Sequence, residues 1–255
     1  MRAYSAEALI LRTYRYGEAD RIVVFLTEDR GKKRGVAKNA TKSRRRFGAA
    51  LEPMTSGRVA YVEREQRELV RLDRVELLGT PLRTMAGRST GVAAHALSHA
   101  GYFAELLDEW APDGMANQRL YRLGLAVGEA LGSAESVEAL ARYFEYWLLR
   151  LEGVYPGLGL CPRCGKRPLT DGALLVIADR SYVCEDCADN GLHLSPDAVG
   201  FLRHTCRQKP DRVAAGKISM TALREIERVH DRLIASHLEK ELRSARVVRE
   251  LRPEL

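Results

Sequence analysis

The hydrophobic positions of this chain change rhythm near residue 80. Before it, short apolar runs alternate with turn residues. Ala8–Leu11 is one run and the β-branched, aromatic Ile22–Leu26 another; Gly31–Lys38 follows the turn Asp29-Arg30-Gly31. Val59, Tyr61 and Val62 come after Gly57, and Leu69, Leu72, Val75 and Leu77 mark a last candidate. Five strands with no long helical period between them predict a small β-barrel or sandwich. A five-stranded OB-type barrel is the architecture of that size most associated with oligonucleotides. Thr80-Pro81 is the expected boundary.

Beyond it the period is helical. Ser89 or Thr90 caps a helix that reaches Trp110 and is stopped by Pro112. Leu120, Leu123, Val127 and Leu131 form one apolar stripe; Val137, Leu140, Phe144, Leu148 and Leu151 form the next, after Gly132-Ser133. Ser195-Pro196 is a strong helix start, because serine caps and proline at the first position gives up no needed N–H. Val199, Leu202 and Cys206 line that helix, which makes Cys206 an expected core residue. A last helix begins near Ser219, with Leu223, Ile226, His230 and Leu233 on one face, and runs into an arginine-bearing tail.

The stretch Leu160–Asp189 interrupts the helices and holds four of the five cysteines. Cys161 and Cys164 form one C-x2-C pair, Cys184 and Cys187 another, nineteen residues apart. That spacing predicts a four-thiolate zinc site. Two residues between thiolates let a tight turn aim both sulfurs at one ion, and the second pair completes a tetrahedron with no place for water or substrate. The site is therefore expected to be structural, with iron as the rival metal. Two disulfides would need an oxidising compartment, and the N-terminus has no apolar core of signal-peptide length. The zinc deaminases place a proline before their first cysteine; here Pro162 follows Cys161.

Charge adds a direction. The net +7 is uneven: residues 1–80 carry 18 basic and 11 acidic side chains, residues 81–202 carry 10 and 15, and residues 203–255 carry 13 and 8. Polyanions should meet the ends of the chain and not its centre. Nine of the seventeen residues from Arg30 to Arg46 are Lys or Arg, and no acid occurs between Arg30 and Leu51. This is a candidate phosphate-binding surface, made of Lys32, Lys33, Arg34 and Lys38 on or beside a strand and Lys42, Arg44, Arg45 and Arg46 on the following loop. Phe47 and Tyr61 are nearby rings for base stacking, although Tyr61 equally suits the core. His95 and His99 stand at i and i+4 but lack the H-E-x-x-H pattern, so helix packing is expected of them. Neither a phosphate-binding glycine loop nor a nucleophile–base constellation is evident. No segment approaches membrane-span length, which implies a soluble, cytoplasmic protein.

On these residues the chain resembles the RecO family of bacterial recombination mediators. EALILRTYRYGEADRIVVFLT, GVAKNATKSRRR and LEPMTSGRVAYV look like that family's opening strands and basic stretch, and LLRLEGVYPGLGLCPRCG like the helix entering its first cysteine pair. Asn39 stands where the family usually has glycine, and Ser181-Tyr182 where it often has a glycine pair. The resemblance implies an α+β multidomain fold: an OB-type nucleic-acid-binding domain (1–80), a helical domain in two parts (81–157 and 193–255) and an inserted four-cysteine zinc module (158–192). It implies no enzymatic turnover and no small-molecule substrate. Its implied partners are single- and double-stranded DNA, RecR, and the acidic C-terminal tail of single-strand-binding protein; its implied tasks are strand annealing and help in loading RecA, in a bacterial, nucleoid-associated setting. Two other classes fit parts of the pattern. A zinc-ribbon RNA-binding or ribosome-associated protein fits charge and cysteines equally well. A metal-dependent nuclease would gather Asp171, Asp179, Glu185, Asp186 and Asp189 around a hard cation.

Overall fold

The computed structural model describes residues 1–65, 67–188 and 190–252. The chain divides into two compact units, Met1–Ser133 with Leu242–Leu255, and Ala134–Glu241.

The first unit is built on five strands: β1 (Arg2–Tyr16), β2 (Asp20–Thr27), β3 (Gly31–Ala37), β4 (Ser56–Glu63) and β5 (Val70–Gly79). They pair in the order β1-β2-β3-β5-β4, and β4 pairs again with β1, which makes a closed barrel. β1 is far longer than its apolar run because its first half pairs with β4 (Arg2↔Glu63 to Leu9↔Ser56) and its second half with β2 (Ala8↔Thr27 to Tyr16↔Asp20). A register shift between Ile10 and Arg12 marks a bulge at Leu11, the kind of device that bends a strand from one partner to the next.

Ala8 and Ile10, Val23 and Phe25, Val59 and Tyr61, and Val70 and Leu72 alternate into one core with Phe47 and Ala50. Leu9, Leu11, Val24 and Leu26, on the opposite face of the same strands, are equally buried. Burial on both faces is why β1 and β2 read as unbroken apolar runs. The outer cover comes from α1 (Pro81–Met85), α2 (Thr90–Trp110) and α3 (Gln118–Leu131). Gly124 lets α3 close on the strands: a Cβ there would lie 2.8 Å from Leu9 and from Leu107 of α2. Polar contacts fix the same packing. Arg12 Nε lies 3.0 Å from Asp108 and its terminal nitrogen 3.2 Å from Glu105, both on α2.

The second unit holds α4 (Val137–Leu151), the sheet β7-β6-β8 made by β6 (Ala173–Val176), β7 (Ser181–Val183) and β8 (Leu192–Leu194), then α5 (Pro196–Thr205), α6 (Pro210–Ala214) and α7 (Met220–Leu238). Ser195 and Ser219 cap α5 and α7 as their sequence context predicts. Ionic groups lie inside. Glu145 of α4, fully buried, accepts from Arg142 (2.8 Å) and meets His230 Nδ1 of α7 (2.8 Å); His230 Nε2 meets Tyr155 Oη (3.2 Å), to which Tyr182 Oη of β7 donates (3.2 Å). The chain ties α4, α7 and the small sheet together.

After α7 the backbone turns left-handed at Glu239 (φ 55°) and enters α8 (Arg243–Glu250), which belongs to the first unit. The arginine tail is thus a helix, and its Ser244 N–H donates to Glu105 of α2 at 2.7 Å.

Candidate metal centre and candidate nucleic-acid interface

The first cysteine pair sits in a tight knuckle. Leu160 and Pro168 form an isolated bridge, Cys161 N–H donates to Arg167 O (2.9 Å), and Gly165, at φ +67°, donates to Cys161 O (2.8 Å). The second pair flanks a single 3-10 turn, Glu185–Cys187, with Cys187 N–H donating to Cys184 O (3.0 Å). The four sulfurs lie within 4.8 Å of one another, Cys164 and Cys184 at 3.9 Å, and all are free thiols. A tetrahedral ion with sulfur at about 2.3 Å sets sulfur–sulfur edges near about 3.8 Å, so the donor set fits one. Burial raises the Cys161 thiol, but N–H groups of Cys184, Cys164 and Arg163 outweigh it and bring it down to about 6. Cys187 is pushed up to about 12, first by its hydrogen bond with Cys184 and then by burial. A divalent ion would draw all four sulfurs to thiolate. Just before Ser181, Arg180 takes the left-handed conformation (φ 47°).

The acidic residues around the cysteines are spread out. Asp179 pairs with Arg163 (2.8 Å), Asp186 with Arg167, and Glu185 with His193 (3.1 Å). Asp171 is exposed, and Asp189 lies outside the described residues. Among the described residues the four cysteines are the one group drawn together as metal ligands. His95 and His99 are buried and packed ring to ring, with centroids 4.6 Å apart.

The basic stretch runs along β3 into a loop. The loop is pinned from below by the buried Phe47 and Ala50, by Asn39 N–H on Asp20 (2.8 Å), and by Val75 N–H on Arg46 O (2.9 Å). Asn39 adopts φ 55°, the conformation that glycine would otherwise supply. The eight candidate residues fall into three groups. Lys32 is buried, with its ammonium 3.2 Å from Asp108 and 3.5 Å from Asp113. Lys33 is half-buried against Glu63 (2.8 Å), and Arg46 is half-buried, donating to Lys38 O (2.6 Å) and Ser43 Oγ (3.0 Å). Arg34, Lys38, Lys42, Arg44 and Arg45 are exposed, and among the described residues none of them makes an ion pair.

Two expected roles change. Phe47 and Tyr61 are 2% and 1% exposed and form the barrel core, the place that also suited Tyr61 from its sequence, so neither offers a face to a base. The exposed rings are Tyr14 and Tyr16 at the end of β1, 45% and 50% accessible, together with arginines 64, 67 and 71 around the β4–β5 loop. The alternation Tyr14-Arg15-Tyr16 past the last apolar pair was the available signal. Cys206, expected in the core, instead caps α5 half-exposed, its thiol donating to Arg203 O at 2.9 Å.

Comparison with known proteins decides the lineage. The family profile described as Recombination protein O N terminal matches residues 1–81, and the one described as Recombination protein O C terminal matches residues 93–246. The chain belongs to the RecO family. The DNA repair protein RecO of Geobacter sulfurreducens is 35% identical over 253 residues, covering 99% of this chain and 100% of that relative. The Geobacter metallireducens RecO is 32% identical over the whole of both chains, and that of Koribacter versatilis 42% identical over 176 residues, 66% of this chain and 69% of its own. The boundary between the two RecO profiles, residues 82–92, falls at α1 and the start of α2. Among the described residues no helix is long and apolar enough to cross a membrane.

Proposed function

We propose that this chain is a non-catalytic DNA-binding protein of recombinational repair. In this reading it anneals complementary strands and, with RecR, helps load RecA onto single-stranded DNA coated by single-strand-binding protein. The observation that carries it is the exposed set Arg34, Lys38, Lys42, Arg44 and Arg45, which faces solvent and makes no ion pair among the described residues, on a chain that belongs to the RecO family. The barrel of residues 1–80 is read as an OB-type nucleic-acid-binding domain. The mechanism is electrostatic: two strands that repel each other are neutralised on one cationic surface long enough to pair. Bases are read weakly, so both single- and double-stranded DNA bind with little sequence preference. Lys32, Lys33 and Arg46 serve that surface from beneath, through their internal contacts.

The four cysteines are read as ligands of one structural zinc ion. Zinc bound by four thiolates cross-links a segment and leaves no position for substrate. Of the module's cations, Arg163 and Arg167 are engaged by Asp179 and Asp186, while Lys166 and Arg180 are exposed. A second feature favours an acidic peptide as partner. In the second unit a groove of about 490 Å³ sets Arg150, Arg203 and Arg207 beside Leu158, Leu202 and Tyr146. Cations beside an apolar wall suit the acidic tail of single-strand-binding protein.

The experiment is annealing of complementary oligonucleotides coated with single-strand-binding protein, with and without RecR. Acceleration by the chain is expected; no acceleration in any condition removes this reading.

A further inference from the structure

β3 and β5 close the barrel through three parallel residue pairs only, Gly35↔Val70, Val36↔Arg71 and Ala37↔Leu72. Beside this short seam, wholly within the first unit, lies a groove of about 720 Å³. Val36 and Leu69 give it an apolar lining, and Tyr16 stands at its edge with half of its surface open. Lys38 enters from the basic loop, Arg64 and Arg67 from the β4–β5 loop. Among the described residues these three cations make no ion pair. Of the acids at the groove, Asp73 is held by Arg71 (2.9 Å) and Asp20 by the Asn39 N–H (2.8 Å), which leaves Glu68 against the three.

Apolar lining, an open ring and unpaired cations in one concavity match the two halves of a nucleotide. An aromatic face stacks any base, and cations take the phosphates. Lys38 belongs both to the groove and to the exposed basic stretch, so a strand tracking along the loop arrives at the seam. We propose that the groove is a subsite for one unpaired nucleotide of single-stranded DNA, its base stacked on Tyr16 and the apolar lining and its phosphates held by Arg64, Arg67 and Lys38. The proposal rests on the DNA-binding reading and adds to it a contact that duplex cannot make. Paired bases hide their faces in the stack; only a splayed nucleotide fills the groove.

The test compares binding of the full chain to oligothymidine and to an abasic oligonucleotide of equal length and charge, across a range of salt. Oligothymidine should bind about tenfold more tightly, the scale of one stacked base. Tyr16→Ala should abolish that preference while leaving the salt slope and thermal melt unchanged. Arg64→Glu with Arg67→Glu should flatten the slope of log K against log salt by about 1.4, two phosphates on a single strand. Equal binding of the two oligonucleotides by the unaltered chain, or a full preference retained in Tyr16→Ala, overturns the subsite and leaves the DNA reading standing. If neither oligonucleotide binds, the DNA reading fails and takes the subsite with it.

Discussion

The ammonium of Lys32 lies 3.2 Å from the Asp108 carboxylate, joining β3 to α2 across 76 residues of sequence, with both side chains about nine-tenths buried. Lys32 is thus a structural cation in the middle of a run of surface ones. Removing Lys32 leaves Asp108 to Arg12 alone, with one carboxylate oxygen and its own carbonyl losing their buried donor, which costs on the order of 2 kcal/mol. Lys32→Met should lower the unfolding free energy by about that much in urea titration. Lys42→Met, on the exposed loop, should stay within about 0.5 kcal/mol. Equal stability of the two variants would remove Lys32 from the set of structural charges.

Surface charges have the opposite profile. Arg44→Glu with Arg45→Glu should leave the thermal midpoint where it is and reduce the salt slope of single-strand binding by about 1.4. The loss should be alike for all sequences, since these residues contact phosphate and not base edges. A sequence-dependent loss, or an unaltered slope, removes the loop from the interface.

The ion, by contrast, should matter to folding first. Metal analysis of the purified chain is expected to find one zinc per molecule. Cys161→Ser and Cys184→Ser should lose it, melt earlier and precipitate, because so short a sheet has little apolar surface of its own to bury. The fraction that stays folded should bind DNA with unaltered affinity. A soluble zinc-free variant that has lost DNA binding would place the module in the interface instead.

Acidity probes the buried chain in the second unit. Burial pulls the His230 imidazole below its usual 6.5, against the raising effect of its hydrogen bond to Glu145. The folded form therefore binds fewer protons than the unfolded one at pH values under 6.5. Its contribution to stability is complete above that value and declines as pH falls through the window below it. Urea midpoints should accordingly drop between about pH 7 and about pH 5, and His230→Asn should flatten that part of the profile. Glu105 adds to the decline at lower pH. Burial raises its carboxyl, but hydrogen bonds from Ser244 and the Arg12 charge win and hold it below the usual value of 4.5, so its stabilising share is present above that value and lost beneath it.

How far the molecule was legible depends on how local each cause is. The five strands show because β1 and β2 are buried on two faces and leave continuous apolar runs, Ala8–Leu11 and Ile22–Leu26. The cysteine cluster shows because ligand spacing is fixed by the knuckle itself, and the helix starts at Ser195 and Ser219 because capping is decided within four residues. What stays hidden depends on partners distant in sequence. Nothing near Lys32 announces Asp108. Tyr61 pairs with Leu72 and points inward, while Tyr16 pairs with Asp20 beyond the end of the core and points out; composition treats both as tyrosines near a basic stretch. Cys206 keeps the helical spacing of a core residue but falls on the cap of α5, where the stripe has already ended.

The return of α8 to the first unit has a consequence for the order in which the protein is made. Residues 134–241 intervene between Ser133 and Leu242. A ribosome therefore releases the barrel strands first and the entire second unit next. Only afterwards comes the helix whose Ser244 satisfies Glu105. Until then the nascent barrel carries a buried-to-be carboxylate and an uncovered flank of α2. Its final stability is acquired last, after synthesis of a unit to which it owes none of its own strands.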